Sequence, residues 1–321
     1  FLWLDPVASG YYLADQAITH VVGVDQSYLD HLVNVIPSNF VQTFADNNVI
    51  GTLIIAAGMG LSILSLPQKK RAILHDFFSS AYAAVFQITL WILKLVPIAI
   101  WSFTALFVQD LIQGSLQVGF LSMYLACVVG ANLIQAFIVL PFMLKLKGIS
   151  PAQTFKKMMP SLQVAFWSKS SSAALPAAIS CAIKASIPKR IANISLPLCI
   201  TINMNACASY ILITVLFVSG CEGMVFSVYE MIGWVLVATI AAIGNAGVPM
   251  GCFFLSGALL TSMNVPLDIM GYILPFYVLI DMLESAINVW SDACVTFSVA
   301  KDLAEEKVEN GMPDAESVDM I

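Results

Sequence analysis

Residues Ile280–Asp292 read IDMLESAINVWSD, inside an apolar run from Gly271 to Ala300. Asp281, Glu284, Asn288 and Asp292 fall at i, i+3, i+7 and i+11. At about 100° per residue this spacing gathers all four on one helical stripe about 80° wide. Three carboxylates and an amide on one face of an oily helix are costly to keep. An ionised side chain at bilayer depth costs from about 2.5 to over 10 kcal/mol. Such a face is sustained by a cation, a polar ligand or water. A soluble helix with a solvated acidic side is the alternative, and its flanks argue against it. Tyr272, Ile273, Leu274, Phe276, Val278 and Leu279 precede the stripe, and Val289, Trp290, Val295 and Phe297 follow or interleave it. They leave no wide polar side.

The rest of the chain agrees. Of 321 residues, 59% are hydrophobic and 11% charged, with a mean hydropathy of +0.87; a soluble domain carries about 25% charged residues. An all-α polytopic membrane protein is expected. The net charge of −6 is carried at the C-terminal end by Asp302, Glu305, Glu306, Glu309, Asp314, Glu316 and Asp319. Residues 303–321 therefore read as a solvated, disordered acidic tail on the cytoplasmic side. No basic patch suits nucleic acid. The seven cysteines (Cys127, Cys181, Cys199, Cys207, Cys221, Cys252, Cys294) show no CxxC or Cys/His spacing. They read as small buried hydrophobes, with neither a disulfide framework nor a resident metal site. His20, His31 and His75 lie outside the strong apolar runs, which argues against haem ligation or a histidine proton relay. No nucleophile–base pair marks an enzyme. The chain opens on Phe1, and residues 1–33 read as the remnant of an N-terminal helix and loop, with earlier helices missing.

Leu29–Ile36 and the turn Pro37–Asn39 suggest short helical pieces near a membrane surface. Val49–Leu66, Phe77–Val108 (with a kink expected at Pro97) and Val118–Leu146 are long enough to cross a bilayer. Ser161–Ser186 and Met231–Met263 are also long enough, but small, Pro-containing runs interrupt their centres. These runs are Ser170–Pro176 and Gly244–Gly251. Helix-breaking sequence at mid-membrane is tolerated where the backbone is buried in protein or lines a wet cavity. Both segments read as re-entrant hairpins. Basic residues support this: Lys69, Lys70 and Arg71, then Lys145, Lys147, Lys156 and Lys157, then Lys184, Lys189 and Arg190, then Lys301 and Lys307 fall in alternate loops. The loops near 109–117, 219–230 and 261–270 have none, so the positive-inside rule returns each hairpin to the side it left. A hairpin followed by a full span occurs twice, once from each side, as in an inverted-repeat secondary transporter.

Within the span after the first hairpin lies Thr201–Ile202–Asn203–Met204–Asn205–Ala206–Cys207. Its two asparagines and threonine suggest an unwound stretch offering oxygens to a small hard cation. Interhelical hydrogen bonding is the plainer alternative.

Four motifs in order resemble the dicarboxylate/amino acid:cation symporter family, which has the glutamate-transporter fold. They are Lys169–Ser172, Leu196–Pro197…Thr201–Met204, Ile243–Pro249 and Asp281…Asn288…Asp292. The resemblance implies an inverted-repeat homotrimer in the bilayer, with a scaffold at 34–110 and a transport part at 111–302 that moves as an elevator. Within the latter, hairpin 1 would span about 155–187, the broken helix 191–219, hairpin 2 about 229–263 and the last helix 268–302. It further implies a sodium site from Asn203, Asn288, Asp292 and the carbonyl of Cys199. A second would use Thr201 and the backbone of Met204, Ala242, Ile243 and Asn245, with Asn205 in the same unwound stretch. Ser171, Gly247 and Val248 at the hairpin tips would close over substrate. Met204, Cys207 and Ser285 would line it, Asp281 would take its ammonium group, and Asn288 its carboxylate.

Two departures bear on substrate. Members that carry acidic substrates have an aspartate in an Asn-Met-Asp-Gly-Thr run, where this chain has Asn205–Ala206–Cys207. Where those members grip the substrate's side chain with arginine, this chain has Glu284. Reversing that charge in low dielectric repels an anion. The run Asp-x-x-Glu-Ser-Ala-x-Asn-x-x-x-Asp looks like the sodium:serine/threonine branch, so sodium-coupled symport of a small neutral amino acid is expected. A cationic amino-acid carrier, a dicarboxylate/glutamate symporter and an ion channel are the alternatives. Lys169 is expected to pair with Asp281 or Glu284; snorkelling to the surface is the plainer reading.

Overall fold

A computed structural model describes residues 39–45, 49–113, 118–245 and 247–309. The N-terminal remnant at 1–33, the pieces at Leu29–Ile36 and the tail beyond 309 lie outside the described residues. Every element among the described residues is helical: α1 (Phe40–Ala45), α2 (Val49–Leu64), α3 (Gln68–Leu93), α4 (Val96–Gln113) and α5 (Val118–Ile134) come first. A π-turn (Gln135–Val139) leads into α6 (Leu140–Leu146), then α7 (Pro151–Ser168), α8 (Ser171–Lys184) and α9 (Lys189–Ile202). The series closes with α10 (Asn205–Cys221), α11 (Val228–Gly244), α12 (Gly251–Ser262) and α13 (Asp268–Glu309).

Sequence chemistry accounts for the breaks. Pro97 occupies the second position of α4, where a missing N–H is harmless, and the chain turns at Lys94 and Leu95 just before it. Ser170 caps α8, its Oγ accepting from Ala173 N at 3.2 Å. The first small-residue run folds as a helix–turn–helix hairpin, α7 packing on α8, and the second separates α11 from α12. One expectation needs correction. The last helix does not end at 302 but runs through Glu309, so residues 303–309 of the acidic tail are helical. Ala304, Glu305, Glu306 and Lys307 are strong helix formers. Lys301 pairs with Glu305 at 3.6 Å at i, i+4, and Lys147 holds Asp302 at 2.7 Å.

Among the described residues, five helices are long and apolar enough to cross a membrane: Gln68–Leu93, Val96–Gln113, Leu121–Leu146, Lys189–Cys221 and Asp268–Glu306. Helices α3 and α4 bury none of their residues within the chain. Phe77, Trp91, Ile98 and Trp101 stand exposed on them, an exterior that suits lipid tails and not water.

Two compact units make up the chain: 1–125 with 212–241 and 253–277, and 126–211 with 242–252 and 278–321. In the first, Tyr124 bonds Thr214 at 2.9 Å and its ring packs at a 38° tilt against Phe217, centroids 4.8 Å apart. The second unit has a core dominated by small residues. Ala165, Ala174, Ala178, Ala182, Ala192 and Ala293 are each fully buried, letting helix backbones approach closely. Trp290 anchors this core, edge-on to Phe155 at 5.2 Å. Its Nε1 donates to the carbonyl of Ala136, in the π-turn, at 3.1 Å. Trp290→Phe keeps one aromatic ring but removes the N–H donor and the rest of the indole, leaving the Ala136 carbonyl without this partner. We expect a loss of about 1–3 kcal/mol, read as a lower midpoint of thermal unfolding in detergent.

Candidate functional site

The site lies in the second unit and is built around the gap between α9 and α10. The last α9 residues surrender their regular bonding at Asn203, where φ is −101° and ψ 60°, and α10 restarts at Asn205. A helix C-terminus presents unbonded carbonyls and a helix N-terminus presents unbonded amides. One break thus supplies a partial negative end suited to a cation and a partial positive end suited to a carboxylate.

Helix α13 closes this gap from one side. Asn288 Oδ1 accepts from the amide of Ala206 at 3.0 Å, capping the restarted helix. Asn203 Nδ2 donates to Asp292 Oδ1 at 3.0 Å and to Ser291 Oγ at 3.0 Å. Asn205 Nδ2 donates to the same Ser291 Oγ at 2.8 Å. The acidic stripe is buried as its cost requires: Asp281 is 5% exposed, Glu284 1%, Asn288 2% and Asp292 1%. Buried Asp292 Oδ2 has no hydrogen-bond partner among the described residues, and neither has Asn245 Oδ1. An ionised oxygen left so is expensive, and a cation beside it would remove that cost.

Both hairpin tips reach the same place. At the first tip Lys169 takes the left-handed conformation, φ 54°, and Ser170 Oγ donates to Gly247 O of the second tip at 3.2 Å. Gly247 is buried with φ +71°, and a Cβ there would sit 2.7 Å from Ser172 Oγ and 3.6 Å from Met204 Cε. Tip, tip and broken helix converge at this residue. If the expected amino-acid uptake runs through this site, Gly247→Ala should raise the concentration for half-maximal uptake about tenfold, a left-handed alanine alone costing about 1–2 kcal/mol. The check is uptake titration, with unfolding temperature as a control for the fold.

Asn245, at the end of α11, turns its amide inward. Its Nδ2 donates to Cys207 Sγ at 3.0 Å and to Cys252 Sγ at 3.5 Å, while its Oδ1 leaves no room for a Cβ at Gly251. Cys207 and Cys252 are joined by a disulfide, with Cα atoms 5.5 Å apart and a separation of 45 positions in sequence. This corrects the expectation that no cysteines pair. The partners belong to different helices, and no local spacing displays such a contact.

The structure thus brings Asn203, Met204, Asn205, Cys207, Asn245, Gly247, Asn288 and Asp292 together, with Glu284 beside the two sulfurs. Ser171 and Ser285 are buried at 2% and 6% exposure, and Val248 is half-buried. The second proposed cation set is looser. Thr201 is exposed and turns its hydroxyl back onto Leu198 O at 2.6 Å, and Ile243 is exposed whereas Ala242 is buried. Among the described residues no hydrogen bond joins Thr201 to Ala242, Ile243 or Asn245. The carbonyl of Cys199 already accepts from Asn203 N at 2.7 Å, keeping one lone pair for an ion. Lys169 is half-buried and makes no ion pair with Asp281 or Glu284 among the described residues, contrary to expectation. Its backbone forms the turn itself. Sequence reasoning missed Ser291, which accepts from both asparagines. Its place at i+3 from Asn288 was the available signal.

Compared with known proteins, residues 10–302 match the sodium:dicarboxylate symporter family. The chain is 30% identical to the excitatory amino acid transporter 3 of Mus musculus over 266 residues, 82% of this chain and 50% of that protein. It is 26% identical to the neutral amino acid transporter B(0) of Homo sapiens over 296 residues, 83% and 54% of the two. With the proton/sodium-glutamate symport protein of Bacillus caldotenax it shares 25% over 285 residues, 89% and 67%. The chain spans about half to two thirds of the length of the curated relatives it matches.

Proposed function

The chain belongs to the sodium:dicarboxylate symporter family, and from that premise we propose that it couples sodium entry to uptake of a small neutral amino acid, serine or threonine first. The observation that supports this best is the junction of Asn203 and Asp292, with one buried carboxylate oxygen left for a cation. In this reading Asn203, Asn288, Asp292 and the Cys199 carbonyl hold one sodium ion. Thr201, with backbone of Met204, Ala242, Ile243 and Asn245, takes a second, and the gap residue Asn205 steadies Ser291. Asp281 receives the substrate's ammonium group, while the tip residues Ser171, Gly247 and Val248, with Asn288, surround its carboxylate. Ser285, Cys207 and Glu284 meet the side chain, and Glu284 accepts the substrate hydroxyl's hydrogen bond. Sodium is cargo throughout.

The transport part would move as an elevator within a homotrimer in the cell membrane, with the C-terminus cytoplasmic. Binding of sodium and substrate should each strengthen the other by the same factor. A second reading takes a cationic amino acid with Glu284 as counter-ion, and one observation favours it: among the described residues Lys169 makes no ion pair with that buried carboxylate. Uptake of labelled serine into liposomes under an imposed sodium gradient tests the proposal, with threonine, alanine, aspartate and lysine as competitors. Gradient-driven serine accumulation blocked by threonine is the expected result. Accumulation blocked by lysine alone would establish the second reading, and none under any gradient would sink both.

A further inference from the structure

We propose that Cys207, Cys252 and Glu284 form a site for a thiophilic divalent cation of the zinc or cadmium class, open when the Cys207–Cys252 bond is reduced. One ligand atom from each residue lies within 4.8 Å of the other two. All three side chains are buried, at 2%, 2% and 1% exposure. Two sulfurs with one carboxylate are a donor set dominated by soft ligands, unsuited to sodium and suited to zinc or cadmium. Three protein ligands leave a fourth position for water.

Donors surround the two sulfurs. Cys207 lies in the first turn of α10 and Cys252 in the first turn of α12, so two helix N-termini bear on the pair. Asn245 Nδ2 donates to both sulfurs at 3.0 and 3.5 Å. Asn288 Nδ2 lies 3.6 Å from Cys207 Sγ. Amide donors of this kind orient ligating sulfurs and tune their basicity.

Reduction is a balanced exchange. A dithiol gives two electrons and two protons to the bonded sulfurs, forming two thiols, and leaves as its own disulfide. The thiols then lose their protons to water as the ion binds. With zinc–sulfur bonds of about 2.3 Å, the sulfurs would stand about 3.7 Å apart in tetrahedral geometry. The ion would fasten the second hairpin's tip to the broken helix and to α13. It would also fill the space read above as the substrate's side-chain subsite, and this part of the inference rests on that reading.

The test uses the full chain in nanodiscs, reduced with a dithiol that is then removed, and titrated with cadmium while the thiolate-to-cadmium ultraviolet band is followed. One cadmium per chain is expected, lost on chelation and lost when the wild-type protein is first oxidised with a disulfide-forming reagent. Cys207→Ser and Cys252→Ser should each weaken binding at least about tenfold, and Glu284→Gln by about as much. The oxidised–reduced comparison needs no variant, so a misfolded mutant does not obscure the result. A band unchanged by oxidation, or surviving in the double serine variant, would assign the cadmium to Cys127, Cys181, Cys199, Cys221 or Cys294 and overturn the site. In liposomes, cadmium should raise the apparent KM for serine with little change in maximal rate. A bound cadmium that leaves KM unchanged removes the overlap with substrate. Cadmium binding without serine uptake would keep this site and discard the transport reading, and uptake without the band would do the reverse.

Discussion

Asp292→Asn should raise the sodium concentration needed for half-maximal uptake at least about tenfold, while the amount of protein in the membrane stays the same. The substitution keeps size and removes charge. Asn203 Nδ2 can still donate to the remaining amide oxygen in place of Asp292 Oδ1, so the tie between broken helix and α13 survives. What disappears is the negative charge behind the second oxygen, which is buried and has no hydrogen-bond partner among the described residues. A buried carboxylate without its cation is destabilising, so the protein without sodium should gain thermal stability from this change. The same protein with sodium should lose the stabilisation the ion gave. Uptake at graded sodium concentrations and unfolding temperatures with and without sodium measure the two halves. Unaltered sodium dependence would remove Asp292 from the ion site.

Glu284→Arg is the second large effect. The residue is buried beside two sulfurs with no bulk water to screen it, so exchanging its sign inverts the field that a substrate side chain meets. We expect serine uptake to fall more than about tenfold, equivalent to a barrier change above about 1.4 kcal/mol, and aspartate to begin to compete. Glu284→Gln separates the two readings. It should retain serine uptake with weaker affinity, because an amide oxygen still accepts a hydroxyl, and should abolish any competition by lysine. Identical competitor profiles in all three proteins would place Glu284 away from the ligand.

Much of this was legible in the chain because periodicity and punctuation act locally. The stripe of Asp281, Glu284, Asn288 and Asp292 follows from helix period alone. Both hairpins follow from small residues and proline where a span should be continuous. The interruption at Pro97 follows from a ring that cannot donate. Long-range pairing was not legible. Cys207 finds Cys252 only because the second hairpin folds back to the broken helix. Ser291 looks like any serine on an apolar helix until two asparagines from α9 and α10 converge on it. Thr201, expected to face an ion, also has a partner within its own helix, its hydroxyl donating to Leu198 O. A threonine's choice between those partners depends on packing that its neighbours in sequence do not specify. The helical stretch to Glu309 was hidden by composition, since acidic runs read as solvated chain whether or not an i, i+4 partner such as Lys301 steadies them.

Helix α13 runs uninterrupted from Asp281 to Asp292, and a straight helix advances about 1.5 Å per residue, so the two carboxylates are fixed about 16 Å apart along its axis. That rod acts as a ruler. On the proposed function, a bulkier amino acid would gain no space by stretching this wall, so selection by length would come from how far the glycine-rich tip can retreat, and loosening that tip should widen the range of side chains carried without altering which ion drives them.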